Sequence, residues 1–255
     1  MILNFLIYFF IFIFGLCIGS FLNCAIYRLE EKEKITGRSF CPRCKHILYW
    51  QDLFPVFSFL FLTGECRYCK QKISIQYPLV ELATAILFVL IFNQQNIVQS
   101  VFYLIISCFL IVIFVYDFKH YIIPDQILWP AVAIAIIYNL IPPYNFLHMF
   151  YALLAVIIAS GFFLAIFLIS KGKWMGFGDV KLAVLMGFLL GLPNVLTALF
   201  LAFFFGAIIG VILMVLEKKS LKSEIPFGPF LVIGTLVAVI CGNQIIQWYL
   251  HLLLI

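Results

Sequence analysis

The sequence predicts an all-α integral membrane protein with about eight transmembrane helices and a small cysteine-containing loop domain between helices 1 and 2. Of the 255 residues, 65% are hydrophobic and only 11% are charged, whereas about 25% are charged in an average soluble domain. A bilayer core of about 30 Å needs about 20 apolar residues per helix, and apolar runs recur along the whole chain. The composition excludes a secreted disulfide scaffold, a disordered chain and a soluble nucleic-acid-binding module.

The first apolar segment, residues 1–27, is predicted to be a retained transmembrane helix. No Lys or Arg precedes Arg28 and the segment shows no small-residue cleavage site, so it lacks the marks of a secretory signal peptide. Seven further apolar runs complete the prediction: residues 79–95, 98–116, 126–141, 146–170, 180–192, 195–216 and 228–252. The run at 180–192 is short and ends at a Leu-Pro-Asn break, which is typical of a tilted or re-entrant segment.

The positive charges are segregated along the chain. All sixteen Lys and Arg residues lie in alternate connections between the predicted helices, namely residues 28–72, Lys119, residues 171–181 and residues 218–222. Under the positive-inside rule these connections are cytoplasmic and both termini face outward. A wrong helix count would scatter the charges over both sides, so the segregation also supports eight helices. The net charge of +5 therefore reports topology and does not indicate a nucleic-acid partner.

Residues 28–78 form the only sizeable polar stretch, and they carry two C-x-x-C pairs, Cys41 with Cys44 and Cys66 with Cys69. Four thiolates satisfy a tetrahedral Zn²⁺ ion and leave no open position, which favours a structural zinc site. Two disulfides are the alternative, but cytoplasmic thiols stay reduced. His46 is read as a surface residue, and the remaining cysteines stand singly in apolar runs as small hydrophobic side chains: Cys17, Cys24, Cys108 and Cys241.

Two carboxylates stand at ends of predicted spans. Asp117 closes the third span and Asp179 opens the sixth, so alternation places both at the cytoplasmic boundary, where they can meet. Two close carboxylates do not both ionise easily, so one holds a proton while the other acts as a base on water, which is the chemistry of an aspartyl protease. We expect Gly176 and Gly178 to allow close backbone approach and a positive φ beside Asp179. For each aspartate alone, a helix end that faces water is the plain alternative.

Other polar residues near the spans have plain structural interpretations. Asp125 and Glu81 begin the fourth and second spans, where acidic side chains favour the first helical turn, although a direct catalytic role for Asp125 stays open. Asn23 is expected to make a hydrogen bond between helices, and Gly15-x-x-x-Gly19 is expected to allow close helix packing.

These residues, in this order, resemble the type IV prepilin peptidases, the GxGD-type membrane aspartyl proteases. The resemblance covers nearly the whole chain and rests on six motifs: Gly19-Ser-Phe-Leu-Asn23 with Tyr27-Arg28, the two C-x-x-C pairs, Tyr77-Pro-Leu-Val-Glu81, Asp117 with Ile123-Pro-Asp125, Gly176-Phe-Gly-Asp-Val-Lys181, and Ile225-Pro-Phe-Gly-Pro-Phe230. One departure is Phe177, where leucine or methionine is commoner in the family. An apolar exchange at that position puts little in doubt.

The resemblance implies that Asp117 and Asp179 are the catalytic pair and that Asp125 is a neighbour. It implies cleavage of prepilins or pseudopilins after a glycine, at the cytoplasmic face of a bacterial inner membrane. Family members with the cysteine loop also methylate the new N-terminus with S-adenosylmethionine, and this chain keeps that loop, including Gly64. The residues that bind this cofactor stay unassigned, since no G-x-G-x-x-G follows a predicted strand.

The sequence thus divides into a first helix at residues 1–27, a cytoplasmic four-cysteine zinc loop domain at 28–78 and a seven-helix membrane peptidase domain at 79–255. The rival interpretation is a polytopic transporter or ion channel whose boundary carboxylates form a cation path. Transporters, however, generally show repeat symmetry and polar breaks near the midplane, whereas these carboxylates gather at one face. A membrane scaffold whose zinc loop binds a partner is a third interpretation.

Overall fold

A computed structural model describes residues 2–34, 36–92, 96–141, 146–216 and 225–253. Within these ranges the chain is helical, with two isolated β-bridges and no named strand. The helices are α1 (Ile2–Glu30), α2 (Phe57–Phe61), α3 (Gln76–Phe92), α4 (Ile97–His120), α5 (Asp125–Leu140), α6 (Phe146–Ser170), α7 (Phe177–Leu190), α8 (Asn194–Val215) and α9 (Gly228–Leu253), with a 3-10 turn at Trp50–Leu53. The predicted all-α class is confirmed.

Each predicted apolar segment corresponds to one helix, α1 or one of α3 to α9, while α2 and the 3-10 turn lie in the polar stretch between α1 and α3. Among the described residues, five helices are long and apolar enough to cross a membrane: α1, α4, α6, α8 and α9. Helices α3 and α5 are apolar but shorter, and α7 has only 14 residues. The count of eight spans therefore stays a prediction. The connections predicted at 93–96, 142–145 and 217–226, with the lysines at 218–222, lie wholly or partly outside the described residues.

The chain divides into two compact units, residues 1–112 and residues 113–255. In the first unit α1 packs closely on α3. A Cβ atom at Gly15 would lie 2.6 Å from Cα of Ala85, and one at Gly19 would lie 2.6 Å from Cα of Glu81. The two helix backbones approach so closely only because both positions lack a side chain, which confirms the packing role expected for Gly15 and Gly19.

The second unit is built around α7, which packs against α5, α6, α8 and α9. Its side chains Leu182, Leu185 and Met186 are fully buried, and a Cβ atom at Gly187 would lie 2.6 Å from the backbone of Val156 in α6. A helix that is apolar all round is a core element. The short run predicted at 180–192 is therefore an enclosed central helix, and Asp179 lies in its first turn.

Candidate active site

Asp117 lies in the last turn of α4, and its side chain is buried. The backbone N–H of Gly228, the first residue of α9, donates a hydrogen bond to the Asp117 carboxylate. A Cβ atom at Gly228 would collide with Oδ2 of Asp117. The start of α9 can therefore reach this carboxylate only because residue 228 is glycine.

Asp179 is the third residue of α7 and is also buried. Its carboxylate accepts a hydrogen bond from the backbone N–H of Gly176, the N-cap residue of that helix, which is one half of a capping box. Asp117 is the neighbouring charge that acts on the Asp179 carboxylate. The structure thus brings together the two aspartates that the sequence predicted to meet, although 62 residues separate them in the chain.

Ile123, in the connection from α4 to α5, joins the parts of this site. Its side chain would lie 3.3 Å from a Cβ atom at Gly178 and 3.4 Å from one at Gly228. Three segments therefore converge at Ile123: the α4–α5 connection, the first turn of α7 and the start of α9. Ile123 and Gly228 both belong to sequence motifs, but their roles could not be predicted because both act through contacts with residues distant in the chain.

The expectations for the two glycines before Asp179 are only partly correct. Close approach is confirmed at Gly178, whereas a Cβ atom at Gly176 would meet nothing closer than 3.9 Å. The prediction of a positive φ is wrong, because Gly176 has φ −75° and Gly178 is not among the glycines with positive φ. The reason is that α7 begins at Phe177, so Gly178 already has helical geometry.

Asp125 is the first residue of α5, as predicted, and the N-cap residue of that helix is Pro124. Both of its carboxylate oxygens lie 2.8 Å from Nζ of Lys181, two residues after Asp179 in α7. The sequence held one signal for this ion pair, since Lys181 is the only charged residue between Asp179 and Glu217. The only basic side chain of an apolar helix is expected to pair with a carboxylate, and Asp125 holds the Lys181 ammonium group in this ion pair.

Two buried aspartates that influence each other have the arrangement needed for acid–base hydrolysis. Like charges at close range favour a state in which one carboxyl holds the proton and the other is ionised. The ionised group can take a proton from water while the protonated group donates to a carbonyl oxygen. The hydrogen bonds from Gly176 and Gly228 fix the orientation of both groups.

The first unit holds a second cluster of reactive side chains, formed by Cys41, Cys44, Cys66 and Cys69 and called here the four-cysteine cluster. Their Sγ atoms all lie within 4.8 Å of one another, and those of Cys41 and Cys69 are 3.9 Å apart. A tetrahedral zinc ion with Zn–S bonds of about 2.3 Å places its sulfurs about 3.8 Å apart. None of the eight cysteines is in a disulfide, and the four thiols fit a metal ion.

The two C-x-x-C pairs fold as copies of one turn. In the first, N–H of Cys41 donates to the carbonyl of His46 and N–H of Lys45 donates to that of Cys41, both at 2.9 Å. In the second, Cys66 donates to Gln71 at 2.8 Å and Lys70 donates to Cys66 at 2.9 Å. Each lysine has a positive φ, 57° and 58°. Burial raises the pKa of the Cys41 thiol, but the N–H groups of Cys44 and Arg43 lower it further, to about 7. At Cys69 the N–H of Gln71 lowers the pKa, but burial and the neighbouring cysteines raise it to about 11, so the thiols share protons in the absence of a metal ion.

The ends of the loop that carries the four-cysteine cluster are fixed by buried polar side chains. Arg28, at the end of α1, donates to the backbone carbonyls of Lys34, Gly37 and Arg38 at 3.1 to 3.2 Å. Asn23 donates to the carbonyl of Tyr77 at 2.9 Å, which confirms its predicted hydrogen bond between helices.

Glu81 departs from its predicted first-turn role. Helix α3 begins at Gln76, five residues earlier, so the buried Glu81 carboxylate lies in the second turn, where it accepts the N–H of Val56 at 2.7 Å. A second-turn position was not predicted because Gln76 and Tyr77 are polar enough to resemble the preceding loop.

Comparisons with known proteins find two family profiles, and these match parts of the chain that correspond closely to the two compact units at residues 1–112 and 113–255. The profile described as "Bacterial Peptidase A24 N-terminal domain" matches residues 13–95, and the profile described as "Type IV leader peptidase family" matches residues 104–211. No solved structure was found to match.

Several curated proteins are similar over nearly their full length. A "Prepilin leader peptidase/N-methyltransferase" of Bacillus subtilis (strain 168) is 34% identical over 96% of this chain and 98% of its own. Proteins of the same name are 32% identical in Aeromonas salmonicida (strain A449), over 96% and 94% of the two chains, and 33% identical in Legionella pneumophila, over 93% and 92%.

Proposed function

Because the chain belongs to the type IV leader peptidase family, we propose that it is a membrane aspartyl endopeptidase that removes the basic leader of prepilins or pseudopilins. Cleavage follows a glycine, where the leader meets the hydrophobic helix of the substrate, at the cytoplasmic face of a bacterial inner membrane. The names of the similar proteins support the activity, and the segregated Lys and Arg residues support the side of the membrane. On this topology both termini face outward.

The observation that carries the proposal is the convergence of Asp117 and Asp179 beside Ile123 and Gly228. In the proposed reaction one carboxylate takes a proton from water, and the water oxygen forms a bond to the carbonyl carbon of the glycine that ends the leader. The other carboxyl donates its proton to the carbonyl oxygen. When the C–N bond breaks, the departing amine takes a proton from the pair and a hydroxyl group of the tetrahedral intermediate returns its proton to the pair, which restores the starting state. No group outside this chain, its substrate and water is required.

The second proposed activity is N-methylation of the new N-terminus with S-adenosylmethionine as methyl donor. It is supported by the names of the similar proteins and by the retained cysteine loop. In this proposal residues 28–78 are a loop domain in which the four-cysteine cluster holds one structural Zn²⁺, and residues 79–255 are the peptidase domain. Four thiolates would fill the coordination shell, so the ion would stabilise the fold of the loop and take no part in hydrolysis.

A transporter or ion channel is not favoured, because the buried aspartates Asp117 and Asp179 lie in one compact site of the second unit and the similar proteins carry peptidase names. The deciding experiment incubates the purified protein with a prepilin, with and without S-adenosylmethionine, and weighs the product. Loss of the leader mass in both samples, with a methyl increment only when the donor is present, is the expected result. An intact prepilin in both samples would overturn the proposed peptidase activity.

A further inference from the structure

The loop between α1 and α3 exposes a run of large apolar side chains that the proposed chemistry does not use. Residues 49–61, called here the aromatic segment, comprise the 3-10 turn, α2 and their junction. Trp50 is 70% exposed and Phe61 is 84% exposed. Five more large side chains of the segment are exposed as well: Tyr49, Leu53, Phe54, Phe57 and Leu60. Such a concentration of exposed aromatic and aliphatic side chains in a polar loop is typical of an interaction site.

The aromatic segment also conceals its only charge. Asp52 is the sole Asp, Glu, Lys or Arg between residues 46 and 64, and its side chain is only 5% exposed. Its carboxylate accepts Nε of Arg67 at 2.7 Å and the hydroxyl of Tyr68 at 3.0 Å. Burial opposes the ionisation of Asp52, but the hydrogen bond from Arg67 holds its pKa below the usual value. The segment therefore presents aromatic and aliphatic side chains outward and turns its charge inward.

A hydrogen bond fixes the depth of the segment relative to α3. The N–H of Val56, in the middle of the segment, donates to Oε2 of Glu81 at 2.7 Å. Glu81 lies five residues into α3, and a rise of 1.5 Å per residue puts it roughly 7.5 Å along the helix axis. The segment is thus held beside the second turn of an apolar helix, near the end at which the predicted span begins.

The charge around the segment fits a lipid surface. Residues 28–77 carry nine Lys and Arg against five Asp and Glu, a net charge of +4. Cationic groups next to a membrane are attracted to anionic headgroups, and Trp and Tyr favour the interface between headgroups and hydrocarbon. We propose that the aromatic segment inserts into the membrane interface and anchors the cysteine loop to the lipid surface.

The test uses the full-length protein in vesicles of phosphatidylethanolamine and phosphatidylglycerol. Replacing Trp129, Trp174 and Trp248 by Phe leaves Trp50 as the only tryptophan. We expect its fluorescence to be blue-shifted, strongly quenched by lipids brominated near the headgroup, and protected from aqueous iodide. Emission typical of water, quenched by iodide and untouched by brominated lipid, would overturn the proposal.

The matched control moves the probe within the same loop. In the same background, Trp50→Phe combined with Arg43→Trp places the tryptophan at an exposed residue of the first C-x-x-C turn, outside the aromatic segment. This probe should be quenched by iodide and not by brominated lipid. Equal lipid quenching at both positions would mean that the whole loop contacts lipid and would overturn a specific anchor.

Two further measurements separate lipid from a protein partner. Phe57→Ser with Phe61→Ser should reduce lipid quenching of Trp50, whereas Ile75→Ser, also at an exposed apolar residue, should not. Circular dichroism and elution volume confirm that each variant is folded. Protection of Trp50 that arises only after a prepilin is added would identify a substrate-binding surface instead. Protection from iodide without lipid quenching would identify a second protein surface. Either result would overturn the lipid anchor.

Discussion

The four-cysteine cluster and the aspartate pair are built in opposite ways. Each C-x-x-C turn is closed by hydrogen bonds between residues at most five apart in sequence, so either half of the cluster can form locally. Asp117 and Asp179 come from different helices, and their surroundings also require Ile123 and Gly228. The four-cysteine cluster therefore depends on local turns and, in the proposed function, on a metal ion, whereas the aspartate pair depends on the packing of a whole unit.

The largest effects are expected from the carboxylates themselves. Asp117→Asn and Asp179→Asn should each lower cleavage by at least about 10³-fold, because an amide cannot exchange the shared proton. The double variant should be hardly worse than either single variant, since the two groups act as one unit. Mass spectrometry of a prepilin product measures the loss.

The same variants separate the two proposed activities. With membrane insertion intact, both should still methylate a pilin that was cleaved beforehand, because the amine is then already free. Substantial residual cleavage in either single variant would remove that aspartate from the catalytic pair.

Gly228→Ala tests whether the aspartate site depends on packing. The added Cβ atom would collide with the Asp117 carboxylate and lie 3.4 Å from Ile123. A displacement of about 1 Å at a catalytic group typically costs about 10²-fold in rate, and we expect a loss of that order in cleavage.

Gly161→Ala in α6 is the control for this substitution, because a Cβ atom there would meet no heavy atom within 4 Å. It should leave cleavage unchanged. Equal activity in the two variants would show that the start of α9 does not position Asp117.

Removing one thiol tests the dependence of the loop on metal. Purified protein should carry about one Zn²⁺ per chain. Cys41→Ser or Cys66→Ser should lower zinc affinity by at least about 10- to 100-fold, since even the loss of an outer-shell partner has that effect. Metal analysis checks this, with Cys241→Ser as a control in α9. Full zinc content in the Cys66→Ser protein would exclude Cys66 as a ligand.

The sequence predicted the features that depend on spacing or on charge placement. The two C-x-x-C pairs, the all-α class and the meeting of Asp117 with Asp179 all follow from one-dimensional patterns. The roles of Ile123 and Gly228 follow from no such pattern and required the folded chain. The prediction of a positive φ near Asp179 was wrong because the predicted apolar run began at residue 180. The helix α7 begins at Phe177 instead, so Gly178 already has helical geometry.

The ion pair between Asp125 and Lys181 should have a smaller effect. The Asp125 side chain is 53% exposed, and an exposed pair contributes about 1 kcal/mol or less. Asp125→Asn and Lys181→Gln should therefore each lower cleavage by no more than about fivefold, and the double variant should resemble either single variant. Complete loss of cleavage in a properly inserted Asp125→Asn protein would instead give Asp125 a direct role in the reaction.

The smallest expected effects come from a matched pair of glycines, one in each unit. Gly64 and Gly172 have φ of 73° and 74°, and a Cβ atom at either would lie 3.2 Å from the ring of a phenylalanine five residues earlier. Each donates its N–H to the carbonyl of that phenylalanine, Phe59 at 2.9 Å and Phe167 at 3.0 Å, the hydrogen bond of a Schellman helix end.

Alanine at either glycine should introduce about 1–2 kcal/mol of left-handed backbone strain, and the location of that strain should decide which activity falls. Gly64→Ala acts two residues before Cys66 and should lower methyl transfer severalfold while cleavage changes little. Gly172→Ala acts between α6 and α7, close in sequence to Gly176 and Asp179, and should lower cleavage while methyl transfer to a cleaved pilin persists. Mass spectrometry on one substrate batch scores both reactions. If both variants lost both activities in proportion, the loop and the aspartate site would form a single substrate-binding structure. The structural difference between the locally folded four-cysteine cluster and the aspartate pair would then have no counterpart in function.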